Sequence, residues 1–224
     1  MRVIIFGATG MVGQGVLREC LLDERVERVL TVGRTPVGRS HPKLREIVHA
    51  DLLDLAPLEA ELAGYDACFF CLGVSSAGMG EQDYRRITYD VTLAAGATLA
   101  RLSPGSTFVY VSGAGTDARG RAMWARVKGA TENALLALPL EAYMFRPGYI
   151  QPLHGITSRT RWYRLAYVVT VPLYPVLRRL FPSAVTTTER IGQAMIAIAE
   201  HGAPERVLGP AAINAAAGGP THPR

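Results

Sequence analysis

Gly7, Gly10 and Gly13 carry the strongest chemical signal in the chain, in the stretch Val3-Ile4-Ile5-Phe6-Gly7-Ala8-Thr9-Gly10-Met11-Val12-Gly13. They follow an apolar run and open a helical pattern. Gly7 permits a tight turn, Gly10 lets backbone approach a pyrophosphate, and Gly13 lets the helix pack closely on the strand. The helix N-terminus offers free N–H groups and a positive dipole end to phosphate. The loop as a whole, with Thr9, Met11 and Val12, is therefore expected to hold a dinucleotide. The competing reading is a glycine-rich turn with no ligand.

Other groups refine or qualify this chemistry. An acidic residue at the end of the second strand would bind the ribose hydroxyls of NAD, but this chain has Thr31-Val32-Gly33-Arg34. Arginine there suits a 2′-phosphate, so NADP is preferred and NAD stays open. The alternative is an Arg34 that stacks on adenine or faces solvent. Asp51 and Leu52, after the third strand, fit the adenine end; a capping role for Asp51 competes. Cys68 and Cys71 have redox spacing but lie in an apolar strand, where they point to opposite faces, and read as structural. Cys20 is expected to pack from the first helix. His154 follows the sixth strand, where substrate loops gather, and is either a substrate group or a structural loop residue. His41 and His49 lack partners at ligand spacing, so no metal site is expected.

The elements that must position these residues alternate. Apolar strands are expected at Val3–Phe6, Val29–Val32, Glu46–His49, Ala67–Leu72, Thr107–Val111 and Ala142–Phe145. Helices are expected over Met11–Leu22, Gln82–Leu102 and Arg121–Leu138. Continuous apolar strands separated by helices predict an α/β fold, a doubly wound parallel sheet (Rossmann fold) covered on both faces. After Tyr149 the pattern becomes helical, with a helix over Thr186–His201 capped by Thr187 or Thr188, and a last strand and short helix within 205–217. Residues 1–217 read as one domain, with a cofactor-binding core at 1–149 and a small helical C-terminal cap at 150–217; 218–224 read as a loose tail.

The chain has 224 residues, 49% hydrophobic and 19% charged, enough for a sizeable core and against disorder. Three cysteines do not make a disulfide scaffold, and free thiols suggest a cytoplasmic protein. No secretory signal pattern opens the sequence, and no apolar run is long enough to span a membrane. The net charge of +5 comes with 22 arginines and two lysines, Lys43 and Lys128; this usage, with abundant alanine, hints at a GC-rich bacterial genome. No zinc-finger spacing or RNA-binding signature is present, so no nucleic-acid partner is expected. Residues 159–181, rich in arginine and aromatics, could cover a substrate pocket, form a homodimer face or touch a membrane surface. The last is not favoured, because prolines break the helix.

In order, Gly7-x-x-Gly10-x-x-Gly13, Phe69-Phe70-Cys71-Leu72-Gly73, Val109-Tyr110-Val111-Ser112, Arg126-Val127-Lys128-Gly129 and Phe145-Arg146-Pro147-Gly148 resemble the atypical, extended branch of the short-chain dehydrogenase/reductase superfamily. The similarity is to its NAD(P)-binding epimerase/dehydratase-like proteins, a group that includes the Tat-interacting-protein oxidoreductase. It covers residues 1–150 well and 150–210 loosely. The resemblance implies that Leu72 and Gly73 border the nicotinamide ribose and that Ser112 hydrogen-bonds the reacting carbonyl. It further implies that Lys128 holds the ribose hydroxyls and that Pro147 and Gly148 lie against the carboxamide. It also exposes a departure. The family's proton-donating tyrosine, four residues before the lysine, is Trp124 here, and Thr88 stands where extended members often carry asparagine. Tyr149, or more weakly Tyr84 or Tyr89, could substitute. Two functions follow as expectations. One is an NADP-preferring oxidoreductase- or epimerase-like enzyme for a small, largely apolar carbonyl or hydroxyl substrate, held between the cofactor and residues 149–185. The other is a non-catalytic, redox-sensing protein acting through a partner, with Trp124 filling the substrate's place beside the nicotinamide.

Overall fold

The computed structural model describes residues 1–156 and 185–218; the segment 159–181 and the tail beyond Gly218 lie outside the described residues. Seven parallel strands form the main sheet: β1 (Arg2–Phe6), β2 (Arg28–Gly33), β3 (Leu44–Val48), β4 (Ala67–Phe70), β5 (Thr107–Val111), β6 (Glu141–Phe145) and, after two strands of a smaller pair, β9 (Val207–Leu208). Their order is β3-β2-β1-β4-β5-β6-β9. The direction of winding reverses between β1 and β4, which opens a crevice at the carboxyl ends of those strands.

The strands are continuous apolar runs because both faces are covered. Along β1, Val3 and Ile5 enter one core while Ile4 and Phe6 enter the other. The first face is covered by α1 (Met11–Leu22), α6 (Thr188–His201) and α7 (Pro210–Ala217), the second by α2 (Glu59–Leu62), α4 (Val91–Leu102) and α5 (Met123–Leu136). Cys71 and Cys20 lie in the first core and Cys68 in the second, all buried free thiols, as the alternation predicts.

The helix expected over Gln82–Leu102 is interrupted. A short α3 (Glu81–Arg85) passes through a π turn at Arg86–Asp90 before α4 begins. A π turn inserts an extra residue into the helical ladder, which a hydrophobic pattern alone does not reveal. Thr88 lies in this turn, and its buried hydroxyl has no hydrogen-bond partner among the described residues. The smaller parallel pair, β7 (Tyr149–Gln151) with β8 (Val185–Thr187), was not foreseen. Its strands are three residues each, too short for a period to show. Asn214 on α7 steadies β8, donating to the Val185 carbonyl at 2.8 Å and accepting from the Thr186 hydroxyl at 2.8 Å. Thr187 caps α6, its hydroxyl accepting from the Arg190 amide at 3.0 Å.

Candidate functional site

The crevice is a cavity of about 1310 Å³ running along the carboxyl ends of β2, β1, β4, β5 and β6. Its floor is the glycine loop. Gly7 has φ 78°, and a Cβ there would come within 2.5 Å of the Leu72 amide nitrogen. Only glycine meets both demands. Gly10 donates to the Gly7 carbonyl at 3.0 Å and precedes α1. The first helical bond is Gln14 N–H to Gly10 C=O at 2.8 Å, so the amides of Met11, Val12 and Gly13 have no carbonyl behind them. No acidic residue stands in this first turn to compete with an anion. Gly7, Thr9, Gly10, Met11 and Val12 all line the cavity. Gly13 does not. It sits behind the loop, where a Cβ would lie 2.1 Å from the Gly7 oxygen, so its role is close packing.

One end of the cavity is lined by Thr31, Gly33, Arg34, Glu46, Ile47 and Leu52. Arg34 is exposed and has no ion pair among the described residues. Glu46, which sequence reasoning missed, reaches this end from the neighbouring strand β3 and accepts from the Val37 amide at 2.5 Å. Asp51 is not among the residues lining the cavity, and the capping role that competed for it is present. Its carboxylate accepts from the Leu53 amide at 3.0 Å, closing its own turn, and only Leu52 faces the cavity.

The other end is lined by Leu72, Gly73, Ser112, Lys128, Pro147, Gly148 and Tyr149. Residues remote in sequence meet here because the ladder continues past the strands: the Ser112 amide donates to Phe145 C=O at 2.7 Å and the Ala114 amide to Pro147 C=O at 3.0 Å. The Ser112 hydroxyl is buried and lies 2.9 Å from that of Thr116, another residue sequence reasoning did not single out. Lys128 Nζ donates to Ser112 C=O at 2.9 Å and, more distantly, to Val111 C=O at 3.4 Å. Burial pushes this ammonium down to about 8, against a smaller opposing pull from Glu132. The Tyr149 hydroxyl donates to Gln151 Oε1 at 2.9 Å.

The substitutes for the missing tyrosine separate clearly. Tyr84 is buried away from the cavity, and Tyr89 lies under the Arg85 guanidinium, 4.1 Å from the ring centroid; neither lines the cavity. Trp124, in the tyrosine position, packs beside Gly115. It is not among the residues lining the cavity, and its ring edge sits where it would meet a Cβ on Gly115 at 3.4 Å. His154, at φ 57°, pairs with Glu189 on the first turn of α6 at 2.7 Å, outside the cavity, and acts as a structural loop residue. No metal-binding cluster occurs among the described residues.

These features fit a dinucleotide: a glycine cradle with free amides for phosphates, an arginine at one end, and a serine and lysine at the other. Residues 3–134 match the NAD dependent epimerase/dehydratase family. The chain belongs to that family. It is 29% identical over 209 residues to the mitochondrial protein FMP52-2 of Scheffersomyces stipitis, covering 90% of this chain and 88% of that one. It is 27% identical to HTATIP2 of Rattus norvegicus over 152 residues, 66% of this chain and 62% of the relative. Among solved structures, the dTDP-glucose 4,6-dehydratase DesIV of Streptomyces venezuelae, crystallised with NAD, superposes with a TM-score of 0.71 at 16% identity, over 93% of this chain and 75% of that one. WbmF of Bordetella bronchiseptica, crystallised with NAD+, gives 0.69 at 18%, over 97% and 76%. These likenesses establish the Rossmann-type fold expected from the alternating elements.

Membership also corrects the expected location. The fungal relatives are named mitochondrial proteins, which overturns the cytoplasmic expectation. That expectation rested on free thiols, and free thiols do not separate one reducing compartment from another. The relatives named here are fungal and mammalian, so the bacterial origin read from arginine usage gains no support from them.

Proposed function

We propose that this chain is an NAD(P)(H)-dependent oxidoreductase, with NADP(H) preferred, acting on a small, largely apolar carbonyl or hydroxyl compound. The observation that carries the reading is one continuous cavity that joins the glycine cradle to Ser112 and Lys128. When bound there, the cofactor would supply or accept a hydride. Everything else falls to the chain. The amides of Met11 and Val12 bind the pyrophosphate, and Arg34 meets the 2′-phosphate. Ser112 donates to the substrate oxygen, which requires the Thr116 hydroxyl, 2.9 Å away, to take the donor role between the two hydroxyls. Leu72, Val74, Ala114 and Ile150 give the adjoining wall an apolar surface, which supports an apolar substrate. Tyr149 and Ile150 line this region, and residues 157–184 of the expected substrate segment lie outside the described residues.

The test is calorimetric titration with NADPH and NADH, followed by turnover of carbonyl and alcohol panels. Micromolar binding with NADPH preferred, together with turnover that Ser112→Ala cuts by roughly 10²-fold or more, is expected. Binding without turnover across the panels would favour the second reading, a redox-sensing protein acting through a partner, which Trp124 in the tyrosine position still motivates. Binding of neither cofactor would sink both.

A further inference from the structure

We propose that Lys128 itself delivers the proton to the substrate oxygen, taking the place of the tyrosine this chain lacks. The inference rests on the oxidoreductase reading above. Among the described residues, few groups can release a proton into the cavity. Indole cannot do so near neutral pH, and Trp124 lies outside the wall. Tyr84 and Tyr110 are buried in the fold, where burial pushes the Tyr110 phenol far up. The Cys71 thiol does line the cavity, but burial raises it well above the usual range. Arg34 and Glu46 belong to the opposite end. Tyr149 has its hydroxyl proton directed to Gln151.

Lys128 is placed differently. Its Nζ binds the backbone carbonyl of Ser112, a residue that lines the same end of the cavity. An ammonium has three protons, and Ser112 C=O and Val111 C=O use two, leaving one for an acceptor in the cavity. Among the described residues, the groups facing it are few. The Tyr110 ring lies 5.6 Å away on β5, and Glu132 lies one turn further along α5. Glu132 is itself engaged by Arg146 from the end of β6, which limits its power to hold the lysine charged. Burial therefore dominates, and the group exchanges its proton near pH 8, where a general acid works well.

In the reducing direction, a bound reduced nicotinamide would supply hydride to the carbonyl carbon. The carbonyl π pair moves to oxygen, and that oxygen takes one proton from Lys128 Nζ. The products are the alcohol, the oxidised nicotinamide and a neutral amine, which water in the cavity reprotonates. Arginine in this place could bind ribose but would not release a proton.

Two readouts test this. First, the chain has only Lys43 and Lys128, so acetylation across pH with peptide mapping follows each separately, with NADPH bound and without. Lys128 is expected to label with a midpoint near pH 8 and to be shielded by NADPH, while Lys43 reports reagent reactivity. Second, Lys128→Arg is expected to keep NADPH affinity within about threefold and lose 10²- to 10⁴-fold in turnover. Should that variant misfold, Lys128→Ala, whose turnover added methylamine should partly restore, replaces it. A Lys128→Arg protein with near wild-type turnover, a Lys128 midpoint above pH 10 without NADPH, or no methylamine rescue would overturn the proposal. Absence of turnover in the wild-type protein would instead bring down the enzyme reading, and this inference with it.

Discussion

Glu132 on α5 grips Arg146 at the end of β6 at two points, with Arg146 Nε donating to Oε1 at 3.0 Å and Nη2 to Oε2 at 2.5 Å. The carboxylate is 3% exposed and the guanidinium 33%. Arg146 leads directly into Pro147 and Gly148 of the cavity wall, so this pair fixes the wall to the helix that carries Lys128. Glu132→Gln should cost about 2–3 kcal/mol, because it leaves a half-buried guanidinium without its countercharge. Urea unfolding of the two proteins measures this. A change under about 0.5 kcal/mol would show that solvent serves Arg146 equally well.

The three loop glycines should separate by experiment. A Cβ on Gly13 has no room against the Gly7 backbone, so Gly13→Ala should fail to fold or melt far below wild type. Gly10 has a negative φ, and its nearest neighbour to an added Cβ is the Gly7 oxygen at 3.3 Å. Gly10→Ala should stay folded, within about 1 kcal/mol, yet bind dinucleotide at least tenfold more weakly, since the methyl occupies the phosphate's approach. Thermal melts and calorimetry distinguish the two, and a Gly10→Ala protein with full affinity would place the pyrophosphate elsewhere.

The proposed preference for NADP(H) makes opposite demands on Arg34 and Glu46. Removing Arg34 as Arg34→Ala should weaken NADPH by about tenfold or more, the worth of a charge-assisted contact, and leave NADH nearly unchanged. Glu46→Gln should shift the balance further toward NADPH by removing a negative charge from the same end of the cavity. Equal losses for both cofactors in Arg34→Ala would remove the 2′-phosphate assignment.

Stability should carry a pH signature from the end of α1. Arg25 donates to Asp23 through Nε at 2.9 Å and Nη2 at 2.7 Å, and this holds the Asp23 carboxyl below its ordinary range. A depressed folded pKa gives stability that is present above the unfolded value, about 3.9, and lost as pH falls through the folded one. Both side chains reach solvent, so screening keeps the effect to about 0.5–1 kcal/mol. The gap between wild type and Asp23→Asn should therefore hold at pH 6–7 and close in acid. A gap constant down to about pH 2 would show that it arises from packing instead.

Much of this molecule is legible in its residues. The strands Val3–Phe6, Val29–Val32, Thr107–Val111 and Ala142–Phe145 announce themselves as continuous apolar runs. Helix α1 begins and ends where its periodicity does, and the glycine spacing marks the phosphate loop. These are local signals, set by neighbours within a turn or a pleat. The tertiary structure decided the rest. Glu46 reaches the cavity only because β3 pairs with β2 in register, Thr31 opposite Glu46. Ser112 and Thr116 bond because the chain folds back after β5. Trp124 turns to Gly115, because a helix face is defined by what packs on it. The same holds for Lys128. Its residue type is visible in the sequence, but its proximity to Ser112 C=O and the burial that lowers its proton affinity come from the packing of α5 against β6, which brings Lys128 to the end of β5. Local spacing sets which chemical groups are available, whereas their mutual distances and their dielectric surroundings exist only once distant segments have met.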